Sequence, residues 1–219
     1  MNNQQINEAS PPLPAHVVDQ FRNIPVAHLS DNLQRLSGIC GLQRLHRTAK
    51  LVGTALTVKT RPGDNLLIYK ALMMVSPGHV LVVDGAGDLT NAIVGELLML
   101  YARGRGCVGF VIDGSARDSG AFLQADFPCY VRGISHRGPY KSGPGAINVP
   151  VSVCGQVVQP GDVLVGDEDG IVSFPATIVG GLIAAAGRSA SDERKIKAEI
   201  DNGRVEQSWI KKVLDPHGL

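Results

Sequence analysis

The residues best equipped for chemistry lie between Gly95 and Asp118. A carboxylate, Glu96, is followed after twenty intervening residues by the adjacent pair Arg117 and Asp118. A guanidinium stays charged at physiological pH and presents a planar fork of donors, so Arg117 suits fork-like capture of a carboxylate or 2-oxo acid. Asp118 offers a hard oxygen of the kind that Mg2+ or Mn2+ takes. Side chains of opposite sign standing together can thus hold an anionic substrate and a cation at one point. Gly95, Glu96, Leu97 and Leu98 lie in the first turns of a helical pattern, where free backbone N–H groups favour a bound anion. An Arg-Asp pair after a strand is equally the pattern of a surface ion pair worth about 1 kcal/mol or less, so spacing alone leaves both readings open.

The surrounding pattern supplies a frame for these residues. Two apolar runs, Val80–Val83 and Val108–Ile112, each end in Asp-Gly, and a helical pattern over Thr90–Arg103 separates them. This reads as a βαβ unit, and ligands of α/β proteins collect at the ends of such strands. In the helix Ile93, Val94, Leu97, Leu98 and Tyr101 form one stripe, Thr90 is the expected cap, and Gly104 or Gly106 the stop. Asp84 and Asp113, each before a glycine, read as turn formers.

Upstream, Pro14 opens a helix with Val17, Val18 and Phe21 on one face, and Val26–Leu36 forms a second, with Ser30 or Asp31 as cap. Leu51–Thr60 alternates as a strand, and Pro62-Gly63-Asp64 turns the chain into a helix over Asn65–Met74. Short β segments follow from Cys129 to Phe174, including a pair, Val163–Val165 and Ile171–Phe174, joined through the acidic turn Asp167-Glu168-Asp169-Gly170. That turn lacks the remaining ligand positions of a calcium loop. Ser76-Pro77-Gly78 and Gln159-Pro160-Gly161, each before a strand, echo one another as reused turn chemistry. A last helix runs from Ala176 to about Asn202, with Gly187 as a candidate break. The organisation is a disordered lead over 1–14, an α/β domain over 15–187 and a C-terminal helical extension over 188–219.

Composition narrows the function classes. The 219 residues are 44% hydrophobic but only 5% aromatic, with a formal net charge of +1, so a core of Val, Leu, Ile and Ala is expected and nucleic acid is not an expected partner. Cys40, Cys107, Cys129 and Cys154 are too scattered for a zinc site or disulfide framework and read as buried free thiols in a reducing compartment. The six histidines form no metal spacing and read as surface or satisfied core residues, any of which, His136 among them, could touch a substrate. Gly85-Ala86-Gly87 has Thr90 where a dinucleotide loop needs its third glycine. No apolar stretch is long enough to span a membrane and the N-terminus has no secretory pattern, so a cytoplasmic location is expected.

Glu96, twenty residues, then Arg117-Asp118, together with Pro62-Gly63-Asp64-Asn65-Leu66, Gly95-Glu96-Leu97-Leu98, Gly145–Pro150 and Pro160–Gly170, resembles one family over most of the chain. It is the family of class II pyruvate aldolases that includes 4-hydroxy-4-methyl-2-oxoglutarate aldolase, together with the regulator-of-ribonuclease-activity A-like (RraA-like) proteins. The resemblance implies a layered β/β/α swivelling fold and a homo-oligomer, trimer or hexamer. It implies that the Gly95–Leu98 amides and Arg117 bind substrate, that Asp118 ligates Mg2+ (or Mn2+) directly, and that Glu96 acts through water. It also implies an acidic residue from a neighbour's C-terminal helix, best matched by Glu193, with Asp192 and Glu199 close by. The activity implied is cleavage of 4-hydroxy-2-oxo dicarboxylic acids to pyruvate, with oxaloacetate decarboxylation alongside. The alternative is a non-catalytic relative that binds a ribonuclease.

Overall fold

Apolar residues alternate along the core strands, and that alternation organises the molecule around one sheet. A computed structural model describes residues 4–218. Its elements begin with β1 (Gln5–Ile6), α1 (Ala15–Phe21), α2 (Val26–Asn32), β2 (Gln43–Arg44), β3 (Leu51–Thr60), α3 (Leu66–Met74), β4 (His79–Val94), α4 (Glu96–Gly104) and β5 (Gly109–Ala116). They continue with α5 (Ser119–Ala125), β6 (Cys129–Ile134), β7 (Gly145–Ile147), β8 (Val151–Val153), β9 (Gln156–Val158), β10 (Val163–Asp167), β11 (Gly170–Phe174), α6 (Val179–Asp201) and α7 (Ser208–Leu214). The main path of the sheet is β1-β7-β3-β4-β5-β6-β2, with β10 and β11 joined to the edge of β3.

Leu56 and Val58 of β3, Leu81 and Val83 of β4, and Phe110 and Ile112 of β5 face one core, where α3, α4 and α5 cover them. Ala55, Val80, Val82 and Val111 face the other way, under Val151, Val153 and Val158 of the β8–β9 hairpin. Strands buried on both faces belong in a parallel sheet, and β3 to β6 are parallel neighbours. Hairpin, sheet and helices thus stack as the expected β/β/α layers. A third core joins Phe21, Leu29 and Leu182 of α1, α2 and α6 to Val165 and Phe174 of the β10–β11 pair. Among the described residues no helix is long and apolar enough to cross a membrane.

Several local expectations are corrected. Residues 4–14 are no disordered lead: Gln5 and Ile6 pair with Ala146 and Ile147, and the Leu13 N–H donates to Thr54 Oγ1 at 2.9 Å. The open edge of β7 supplies backbone partners that composition cannot reveal; residues 1–3 and 219 lie outside the described residues. Helix α2 stops at Asn32 because Gln34 and Arg35 adopt left-handed φ values of 59° and 58°. Its first turn is capped from afar, Asp167 Oδ2 accepting the Val26 N–H at 2.8 Å, while Ser30 and Asp31 lie inside the helix. Helix α6 passes through Gly187 without a break for 23 residues, its Leu182 and Ala186 buried in the third core. Of the cysteines only Cys107 and Cys129 are buried, and Cys40 is exposed.

The two Pro-Gly turns do share one device. His79 Nδ1 accepts the Ser76 N–H at 3.0 Å, and Asp162 Oδ2 accepts the Gln159 N–H at 2.9 Å, each three residues on. Gly78 and Gly161 take φ values of 101° and 84° to allow it.

Asp64, at the start of α3, is fully buried and ties distant segments together. Its carboxylate accepts N–H groups from Leu66, Ser142 and Gly143 at 2.9, 2.7 and 3.0 Å, while Arg61 lies 3.5 Å away and half-exposed. Removing it strands these donors, so Asp64→Ala is expected to cost about 3 kcal/mol or more, against at most about 1 kcal/mol for Arg61→Ala. Urea denaturation of the two variants checks this, and equal losses would count against Asp64 as the anchor.

Candidate active site

The path of β4 decides where a site forms. The chain does not enter a helix at Thr90: its register on β5 shifts between Asp84 and Asp88, between Asp88 and Ala92 and again between Ala92 and Val94, yet Ala92 still pairs with Ser115 and Val94 with Ala116. Bulges of this kind let a strand bend and continue, and β-branched Ile93 and Val94 suit the extended state. Their burial is therefore that of a strand, and α4 begins only at Glu96, with extended Gly95 as its cap residue. One residue beyond the last ladder pair, Gly95 and Arg117 stand side by side, the Arg117 N–H bonded to Val94 O at 3.0 Å.

Asp118 then turns back. Its left-handed backbone, φ 56° and ψ 40°, is one that Asp tolerates better than most residues. Its Oδ2 accepts the Glu96 N–H at 3.1 Å and lies 3.6 Å from Arg117 Nε. Only glycine permits this: a Cβ on residue 95 would stand 2.6 Å from Asp118 Oδ2 and 3.0 Å from Arg117 Cγ. A carboxylate from the end of β5 thus caps the positive end of α4. Both side chains remain reachable, Arg117 44% and Asp118 43% exposed.

A pocket opens beside this turn, lined by Gly95, Leu97, Leu98, Arg117 and Asp118, and also by Asn65, Tyr69 and Lys141. The first intrahelical bond is made by the Met99 N–H to Gly95 O, so the Leu97 and Leu98 amides precede it and have no partner within the helix. Asn65, 3% exposed, donates from Nδ2 to Ile93 O at 3.1 Å, while its Oδ1 is buried without a partner among the described residues. An unmet buried acceptor costs about 1–3 kcal/mol. Neither Asn65 nor Lys141 was singled out from sequence. Asn65 sits inside the Pro62–Leu66 run, which was a usable signal; Lys141 reaches the pocket on a loop, with no spacing to mark it.

Within a single chain neither Glu96, expected to act through water, nor Glu193, expected from a neighbour, lines this pocket. The Glu96 side chain borders a separate groove between α4 and α5 with Arg103 and Gln124, so within one chain Glu96 brings only its N–H to the Asp118 cluster. Glu193, on α6, does not line the pocket of its own chain: it is bonded to His28 and, at 2.6 Å, to Lys197. Lys197 first and His28 second hold its carboxyl below the usual range. Asp192 is paired with Lys195 and Glu199 with Arg204. Asp113, expected in a turn, lies within β5, 2.6 Å from Arg132 Nε, because the strand continues past it. The acidic turn after β10 is structural, Asp167 Oδ1 accepting the Asp169 N–H.

Among the described residues no three His, Cys, Asp or Glu side chains converge as a ready-made ligand set. Asp118 Oδ1 nevertheless takes no part in the contacts at Oδ2, and a cation that keeps several waters needs only one or two carboxylates. The residues fit such an ion through Asp118.

Comparison with known proteins gives the family of the chain. Residues 26–173 match the RraA-like family, described as aldolase/RraA. A Halalkalibacterium halodurans protein provisionally named 4-hydroxy-4-methyl-2-oxoglutarate aldolase is 37% identical over 201 residues, spanning 91% of this chain and 96% of that one. The solved structure of an uncharacterized protein from Pseudomonas syringae has a TM-score of 0.78 at 28% identity, covering 89% of this chain and 96% of that chain. The RNA-processing inhibitor RraA from a Thermus species has a TM-score of 0.64 at 30% identity, covering 69% of this chain and 92% of that chain. Matched by the family over 26–173 and by a relative at 37% identity along almost its whole length, this chain belongs to the RraA-like, aldolase/RraA family.

Proposed function

We propose that the protein is a divalent-metal-dependent aldolase of the cytoplasm that cleaves 4-hydroxy-2-oxo dicarboxylic acids, such as 4-hydroxy-4-methyl-2-oxoglutarate, to pyruvate, with oxaloacetate decarboxylation as a side activity. One observation carries the reading: the close approach at Gly95 gathers Arg117, the Asp118 carboxylate and two helix-start amides on one pocket. The name of the Halalkalibacterium halodurans relative supports it.

In this reading the Leu97 and Leu98 amides receive the substrate carboxylate, at the positive end of α4. Asp118 would hold Mg2+ or Mn2+, which when bound would supply Lewis-acid polarisation of a 2-oxo group. Arg117 binds the 2-oxo end and stabilises the charge that grows as the C3–C4 electron pair moves into the pyruvate enolate. The 4-hydroxyl proton passes to a water ordered by Glu193 from a second copy of the chain, the Glu96 side chain lying on the groove between α4 and α5. Asn65 and Lys141 line the same pocket, Lys141 as an additional cation. Since Glu193 lies away from its own chain's pocket, a homo-oligomer, trimer or hexamer, completes the site. A second reading, a ribonuclease-binding regulator, is favoured by the likeness to the Thermus RNA-processing inhibitor.

Three outcomes test the aldolase. Pyruvate release from 4-hydroxy-4-methyl-2-oxoglutarate should vanish in excess EDTA and return with Mg2+; full release in EDTA would sink the metal-dependent reading, and no release under any condition would leave the regulator. Arg117→Lys keeps the charge but loses the fork, and should lower kcat/KM by on the order of a hundredfold, about 3 kcal/mol, with little change in the melting curve. Near wild-type turnover would refute the role of Arg117. Finally, mixed oligomers of Glu193→Ala and Arg117→Ala chains should regain part of the activity each lacks, and verified mixtures without recovery would place the site within a single chain.

A further inference from the structure

Arg117 and Asp118 line two concavities. Besides the Asn65–Lys141 pocket, of about 150 Å3, they border a more open groove of about 320 Å3 completed by Ile134, Ser135 and His136. We infer that the site has two compartments divided by Arg117 and Asp118, and that His136 binds the distal carboxylate of the substrate in the outer one. This rests on the aldolase reading.

The chemistry assigns the compartments. The bond that breaks joins C3 to C4, so the three carbons that leave as pyruvate belong with the helix-start amides in the smaller pocket. Everything from C4 outward is the departing oxo acid, and the larger groove is where it fits. Ile134, half exposed, offers an apolar surface to an alkyl branch at C4, and His136 an N–H donor to the terminal carboxylate.

The mount for His136 is rigid on both sides. The Ser135 N–H donates to Ala116 O at 2.9 Å, Ser135 Oγ to Thr90 O at 2.8 Å, and Arg137 O accepts the Ala92 N–H at 2.9 Å. The loop is thus stitched to the resumed strand β4, while the His136 side chain is exposed and borders the groove. A fixed backbone carrying a reachable donor reads a ligand at small entropic cost.

The test compares pyruvate, which ends at C3, with 2-oxoglutarate, which carries a distal carboxylate but no 4-hydroxyl to cleave. Both are titrated calorimetrically, with Mg2+ present, into wild type, His136→Ala, His136→Gln and Arg137→Ala. His136→Ala should weaken 2-oxoglutarate about tenfold relative to pyruvate, His136→Gln should recover most of that loss, and Arg137→Ala should leave the ratio unchanged. An unchanged ratio in His136→Ala, or an equal fall in Arg137→Ala, overturns the assignment. Pyruvate release on the same samples keeps the two readings apart. Discrimination that depends on His136 without turnover refutes catalysis alone, whereas a wild type that binds neither acid overturns both.

Discussion

The carboxylate of Asp118 lies against the backbone at Gly95, caps the Glu96 N–H and faces Arg117, and the candidate site is organised around that approach. Its energy is modest. A capping interaction contributes about 1 kcal/mol and an ion pair as exposed as this one less, so the contact does little to hold the fold. The reverse dependence holds: the buried ladder between β4 and β5 sets the distance at which a half-exposed carboxylate and guanidinium meet a helix start. Adding a methyl group at residue 95 would put a Cβ 2.6 Å from Asp118 Oδ2, and one of the two would have to move.

The opposite wall is held by a different economy. Asp64 has no exposure and collects amides from its own helix start and from Ser142 and Gly143, which fixes the loop that carries Lys141. Next to it, Asn65 spends its amide group on Ile93 O and leaves its carbonyl oxygen unmet. Two adjacent residues thus divide the work, one satisfied and structural, the other with an unmet buried oxygen and among the residues that line the pocket.

The family holds proteins named for two activities, and shared architecture cannot separate them. The Thermus RNA-processing inhibitor has the same fold over 69% of this chain. What bears on function is local: Glu96, Arg117 and Asp118 fall inside the matched span 26–173, whereas Glu193 lies beyond it on α6. In its own chain that carboxylate already has two partners, His28 and Lys197, so any work for a neighbouring pocket requires it to be shared or released.

Much was legible in the sequence by itself. Leu51–Thr60 reads as a strand, the two apolar runs of the βαβ unit and the β10–β11 pair stand where apolar runs and turns put them, and Arg117-Asp118 is marked by charge and position. These features rest on local periodicity and turn chemistry, which a chain carries in its own order. Only the tertiary structure decided that residues 90–94 remain strand, that Asp113 pairs with Arg132, that residues 4–14 lie along the sheet, and that Asn65 and Lys141 share the pocket of Arg117. Each depends on a partner distant in sequence. Ile93 and Val94 satisfy a helical stripe as well as a strand until β5 offers its edge, and backbone hydrogen bonding to that edge settles the choice.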